Sequence, residues 1–113
     1  MFGNTASNID SFDLNAEAFY SKYKENGGHV LLDVRTPEEF ESGHIEGAIN
    51  INIIDPLFRA EVEKLDNAKT YFVYCRSGNR SYTACKEMKR LGIDKVFNLE
   101  DGLLGWDKPL VTE

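Results

Sequence analysis

At 113 residues the chain is long enough for one hydrophobic core and too short for two, and 42% hydrophobic with 28% charged residues is the composition of a globular protein, not a disordered or fibrous one. A formal net charge of −6 with no run of Lys or Arg excludes a nucleic-acid-binding face, because phosphate contacts need a basic surface. No apolar stretch is long enough to span a bilayer, the amino terminus lacks the basic-then-apolar pattern of a signal peptide, and two cysteines do not make a disulfide scaffold. The expectation is a monomeric cytoplasmic protein without membrane or nucleic-acid partners; an exported form with its leader removed would read the same way.

Residues 1–8 are small and polar and are expected to form a flexible terminus, leaving residues 9–113 as a single domain. Asn15 is the expected N-cap of a first helix, with Ala16, Phe19, Tyr20 and Tyr23 on one face and Asn26-Gly27-Gly28 ending it. Residues 30–34 read as a buried strand interrupted by Asp33, whose carboxylate is expected to satisfy loop N–H groups at the strand end rather than to act in catalysis. Thr36-Pro37-Glu38-Glu39 opens a short helix with a threonine cap, proline at the first position and a glutamate at the capping-box position, so both glutamates read as capping residues. His44 follows in a turn. A lone turn histidine is usually a structural hydrogen-bonding residue, and with His29 as the second histidine and no cysteine at zinc-ligand spacing, no metal site is expected.

A strand is expected around residues 48–52, then a helix opened by Asp55-Pro56 that buries Phe58, Val62 and Leu65. Tyr71 to Tyr74 is a β-branched and aromatic run, hence a buried strand, and Ala84, Cys85, Met88 and Leu91 recur at helical spacing ahead of Gly92. Residues 95–99 form the last strand, and 102–106 lead into a terminal turn. Strands alternating with helices in this way indicate a parallel α/β sheet, whose ligands sit outside the carboxyl ends of the strands.

Cys75 stands at one of those ends. The loop Cys75-Arg76-Ser77-Gly78-Asn79-Arg80 joins the strand to the next helix, where the first-turn N–H groups and the positive end of the dipole point forward. Ser77, Gly78 and Asn79 adopt bent conformations readily and can turn successive N–H groups into an anion-binding nest, while Arg76 and Arg80 add positive charge. Such surroundings lower a cysteine pKa from about 8.5 into the range of roughly 3.5 to 7.5, which makes Cys75 a candidate thiolate nucleophile. An arginine at the head of a helix can instead brace the loop from outside. Cys85 lies on the apolar stripe of the helix and reads as a packing thiol.

The chain resembles the rhodanese-like (sulfurtransferase) domains, whose active loop begins with the catalytic cysteine and ends with an arginine before a helix. Leu32-Asp33-Val34-Arg35, Glu38-Glu39-Phe40 and the run from Gly43-His44-Ile45 to Ile51 resemble the first signature of the family, and Asn98 to Gly102 with Trp106 resembles the C-terminal one. Two positions depart from the pattern: Asn52 replaces a common proline, and Asp101 stands where a pair of glycines is usual. The resemblance implies a three-layer fold with a mostly parallel sheet of about five strands and helices on both faces. It also implies Cys75 as the catalytic residue, a substrate-binding loop from Arg76 to Arg80, structural support from Asp33, Arg35 and His44, and no cofactor.

The expected reaction takes a sulfur atom from a small anionic donor such as thiosulfate, holds it as a persulfide on Cys75, and passes it to cyanide, a thiol or a protein acceptor. A cysteine-dependent phosphatase or arsenate reductase would use the same cysteine-in-a-nest chemistry, and a sulfur carrier or binding module without turnover is the third class. Loop length separates the first two, because the phosphatases use a loop one residue longer; the four residues between Cys75 and Arg80 make a smaller ring that suits a single sulfur atom.

Overall fold

The computed structural model describes residues 12–112, so the flexible segment expected at residues 1–8 lies outside the described residues. In chain order the elements are β1 (Asp13–Leu14), α1 (Ala16–Glu25), β2 (His29–Asp33), α2 (Pro37–Ser42), β3 (Ile49–Asn50), α3 (Phe58–Glu63), β4 (Thr70–Tyr74), α4 (Asn79–Arg90), β5 (Val96–Leu99) and a 3-10 turn (Gly102–Gly105). The five strands form one parallel sheet in the order β1-β5-β4-β2-β3. β4 is central. Every residue of it is buried, as a continuous apolar run covered on both faces requires.

Side chains alternate across β4, and that alternation decides where the cysteine points. Tyr71, Val73 and Cys75 pack with Ala84, Cys85 and Met88 of α4 and with Phe58 and Val62 of α3. Phe72 and Tyr74 face the opposite way, onto Phe19 and Tyr23 of α1 and onto Leu99. Each fully buried side chain of this size contributes about 1.5–3 kcal/mol of burial free energy, so the two apolar layers hold the sheet between them.

Local signals set several boundaries. The Asn15 side chain accepts from the Ala18 N–H at 2.8 Å, and the Thr36/Glu39 capping box is complete. Two expectations are corrected. The helix read from Asp55-Pro56 begins only at Phe58, because the Asp55 carboxylate accepts the Leu57 N–H at 2.8 Å and closes a turn that competes with helical bonding. The strand around residues 48–52 is two residues long, although the N–H groups of Ile51 and Ile53 still donate to the carbonyls of Asp33 and Val34 at 3.0 Å. β1 is an addition, a short edge strand hydrogen-bonded to β5.

Candidate active site

Because Cys75 continues the alternation of β4 toward α4, its sulfur meets the first turn of that helix. The Gly78 N–H donates to Sγ at 3.1 Å, and both the Ser81 N–H and the Ser81 hydroxyl donate at 3.4 Å. Burial pushes the thiol pKa up, but these donors together with the Ser77 N–H pull it further down, so the net shift is below the ordinary value. The arrangement can hold negative charge on sulfur. No role for Ser81 follows from the sequence reading; its signal was its place on the first turn of α4, one residue past the loop arginine.

Two glycines allow the loop its shape. Gly78 caps α4 with φ of 97°, in the left-handed region, and a Cβ there would stand 1.9 Å from the Glu100 carbonyl oxygen. A Cβ on Gly102 would stand 2.3 Å from the Arg76 carbonyl oxygen. The segment after β5 therefore packs directly on the back of the cysteine loop, where the Leu103 and Leu104 N–H groups donate to the carbonyls of Cys75 and Arg76 at 3.0 Å. Asn98, buried to 1% exposure on β5, adds a brace: its amide donates to the Gly78 carbonyl at 3.3 Å and to the Asp13 carboxylate at 2.8 Å. Neither contact was visible in the sequence, since β5 and the loop are far apart along the chain.

The two loop arginines have different surroundings. Arg76 is exposed, as are Ser77 and Asn79, and among the described residues it makes no ion pair. Arg80 instead binds Glu39 through two parallel bonds, Nη1 to Oε1 at 2.8 Å and Nη2 to Oε2 at 3.0 Å. The Arg80 fork is occupied by a carboxylate and ties the head of α4 to α2, the bracing arrangement that the sequence also leaves open for an arginine at a helix head. Glu39 closes the capping box with Thr36 and holds Arg80 at once, and the Arg80 contact first and the Thr36 contacts after it hold its carboxyl down at about 2.

Asp33, Arg35 and His44 lie on the β2 side of the loop. The Asp33 carboxylate accepts the Arg35 backbone N–H at 2.9 Å and Arg35 Nη2 at 2.7 Å, and the same Nη2 reaches the Gly43 carbonyl at 2.6 Å. Both side chains are buried, so removing either one would strand a charge at a cost of about 3–5 kcal/mol. Asn50 adds its amide to the carbonyls of Asp33 and Arg35 at 2.9 and 3.0 Å. His44 Nδ1 lies 2.8 Å from the Phe40 carbonyl, which can only accept, and its ring stacks on Phe40 at 3.8 Å. Among the described residues no three His, Cys, Asp or Glu side chains gather as metal ligands. A surface cleft of about 690 Å³ opens on the α1 side, lined by Tyr20, Tyr23, His29 and Trp106 among others, and does not include Cys75.

The chain matches the rhodanese-like domain model over residues 15–109. It is 30% identical over 95 residues to a sulfurtransferase of Allochromatium vinosum, covering 83% of this chain and 86% of that protein. It is also 38% identical over 105 residues to a putative sulfur carrier protein of Bacillus subtilis, covering 89% of this chain but spanning only 52% of that relative. The crystal structure of a rhodanese-related protein from Thermoplasma volcanium superposes with a TM-score of 0.77 at 34% identity, over 89% of this chain and 98% of that one. A cysteine seated in helix N–H groups at the end of the central strand of a five-stranded parallel sheet, together with these matches, shows that the chain belongs to the rhodanese-like domain family.

Proposed function

We propose that the protein is a sulfurtransferase that carries sulfur as a persulfide on Cys75, with thiosulfate as a competent donor. The observation that carries this reading is the Cys75 sulfur receiving the Gly78 N–H, the Ser81 N–H and the Ser81 hydroxyl. The sulfurtransferase relatives support the same class of reaction. The Cys75 thiolate attacks the outer sulfur of thiosulfate, a new S–S bond forms, the donor's own S–S bond breaks, and sulfite leaves with the electron pair. The outer persulfide sulfur then passes to cyanide or a thiol, and the bond pair returns to Sγ. The cradle stabilises the anion at both stages.

Exposed Arg76 is the cation left to meet the donor's oxygens, while Arg80 and Glu39 keep the loop shaped. Cys75 is 0% exposed, so a donor reaches the sulfur only through a local opening of the site. We place the reaction in a monomer in the cytoplasm, a reducing compartment that keeps a free thiol available; among the described residues, no helix is long and apolar enough to cross a membrane. Intact-protein mass after incubation with thiosulfate is the test. One added sulfur, removed by reductant and absent from Cys75→Ser, is the expected result, and hydrolysis of aryl phosphates faster than sulfur transfer would overturn the reading.

A further inference from the structure

A second concavity lies on the face of the sheet opposite Cys75. The cysteine packs toward α4, whereas the cleft of about 690 Å³ is walled by Tyr23, Leu31 and Ile45 of the α1-side layer. Pockets that take drug-sized molecules span about 300–1,000 Å³, so a small ligand has room here. Tyr20, Tyr23 and Lys24 reach the cleft together, because residues three and four apart share one face of α1.

Aromatic rings form the wall. Trp106 to Tyr20, Tyr20 to Tyr23 and Tyr23 to His29 are 6.1, 5.5 and 5.2 Å apart between ring centroids, and the first two pairs meet at steep angles of 65° and 82°. A row of rings offers faces and edges on which another flat ring packs well. The polar groups are mainly donors. Trp106 Nε1 is buried and has no hydrogen-bond acceptor among the described residues. The ammonium groups of Lys24 and Lys108 stand 5.7 and 4.6 Å from the centroid of the Tyr20 ring, and that of Lys108 stands 6.0 Å from the Trp106 ring. Two carboxylates oppose them. Glu46 lines the cleft as an exposed residue, and Asp107 pairs with Lys108 at 3.2 Å but is itself 80% exposed. So exposed a pair is worth little, which leaves the Lys108 charge available, and Lys24 makes no ion pair among the described residues.

These groups select the ligand. A cation would be repelled by the two ammonium groups already set against the rings, and a wholly apolar molecule would leave the Trp106 N–H unpaired, a cost that buried donors seldom bear. A flat ring carrying a carboxylate answers both conditions: the ring packs on the wall, and the oxygens accept from the indole N–H and an ammonium group. We propose that this cleft is a binding site for a planar aromatic carboxylate, separate from the cysteine loop and independent of its sulfur chemistry.

Trp106 is the one tryptophan of the chain, so its indole N–H gives a single resonance in a nitrogen-labelled NMR sample of the full protein. Naphthalene-2-carboxylate should move that resonance downfield and saturate it with a Kd of about a millimolar or tighter, as suits a ligand of its size. Naphthalene-2-methanol keeps the ring without the charge, and decahydronaphthalene-2-carboxylate keeps the charge without the flat ring; each should bind about tenfold more weakly. Added salt should narrow the gap between acid and alcohol. Lys24→Gln combined with Lys108→Gln should weaken the acid about tenfold and leave the alcohol within about twofold. Lys24→Gln alone, at an exposed position, should give about a threefold loss at an unchanged urea midpoint, which separates lost binding from lost folding. An indole resonance that stays put, equal affinity for acid and alcohol, or lysine variants that bind the acid as wild type does would each overturn the proposal.

Discussion

Cys75 and Cys85 are both free, both 0% exposed, and both part of the same apolar cluster between β4 and α4, yet their thiols are pushed in opposite directions. Burial raises each. At Cys75 the Ser81 hydroxyl and three backbone N–H groups more than offset it. At Cys85 burial is the largest cause, the negative charges of Asp13 and Cys75 push the same way, and Lys89 only partly compensates, so the thiol is driven far above its ordinary value. Placement of donors, rather than exposure, sets the two thiols apart.

Exchanging the two positions gives the sharpest test. Cys75→Ser should abolish thiosulfate-to-cyanide turnover while leaving the urea midpoint close to wild type, since a hydroxyl is nearly isosteric but not ionised near neutral pH. Cys85→Ala should do the reverse, keeping turnover and losing on the order of 1 kcal/mol of stability. Turnover lost at normal stability in Cys85→Ala would erase the contrast.

The donors themselves are the next target. Gly78→Ala places a Cβ on the Glu100 carbonyl at a left-handed position, so the loop must rebuild. We expect a loss of about 2–4 kcal/mol in urea unfolding together with most of the sulfur transfer. Ser81→Ala is milder, removing the hydroxyl and leaving the backbone donors in place. The pH profile of Cys75 alkylation by iodoacetamide should move up, because one hydrogen bond to the thiolate is lost. An unmoved profile would assign the cradle to the backbone alone.

The smallest effect concerns the brace. Glu39 has a folded pKa of about 2 against an ordinary 4.5, chiefly because Arg80 binds its ionised form. Its contribution is therefore complete above about pH 4.5 and disappears as pH falls from there toward 2. The pair is about one-third exposed, so after solvent screening we expect Glu39→Gln to cost about 1 kcal/mol at neutral pH. Denaturation midpoints of wild type and variant should converge near pH 2, and a gap that persists there would show that packing, not the charge pair, is what Glu39 supplies.

The features legible in the sequence are those whose causes lie within a few residues. The Asn15 cap, the Thr36/Glu39 capping box, the buried run of β4 and the loop from Cys75 into α4 each depend on neighbours along the chain, and each could be read from them. Residue type and spacing also sufficed to separate Cys75 from Cys85, because one sits among small polar and basic residues and the other on an apolar helical stripe. The two-residue β1 could not be read, since a strand so short carries no period of its own and exists only by pairing with β5. Nor could the helix start after Asp55-Pro56 be placed, where a side-chain turn prevailed over the proline signal.

By itself, the sequence determined the alternation of strands and helices, the family, and the presence of a strand-to-helix loop with a cysteine at its entrance. Tertiary structure alone decided which members of that loop are tied down and which stay exposed. Arg80 is drawn to Glu39 on α2, Gly78 and Gly102 are demanded by the backbone of a segment that arrives from β5, and Asn98 reaches back to the same loop. These contacts join residues brought together only by folding the parallel sheet, where each strand's return path runs through a helix, so no local pattern of residues records them.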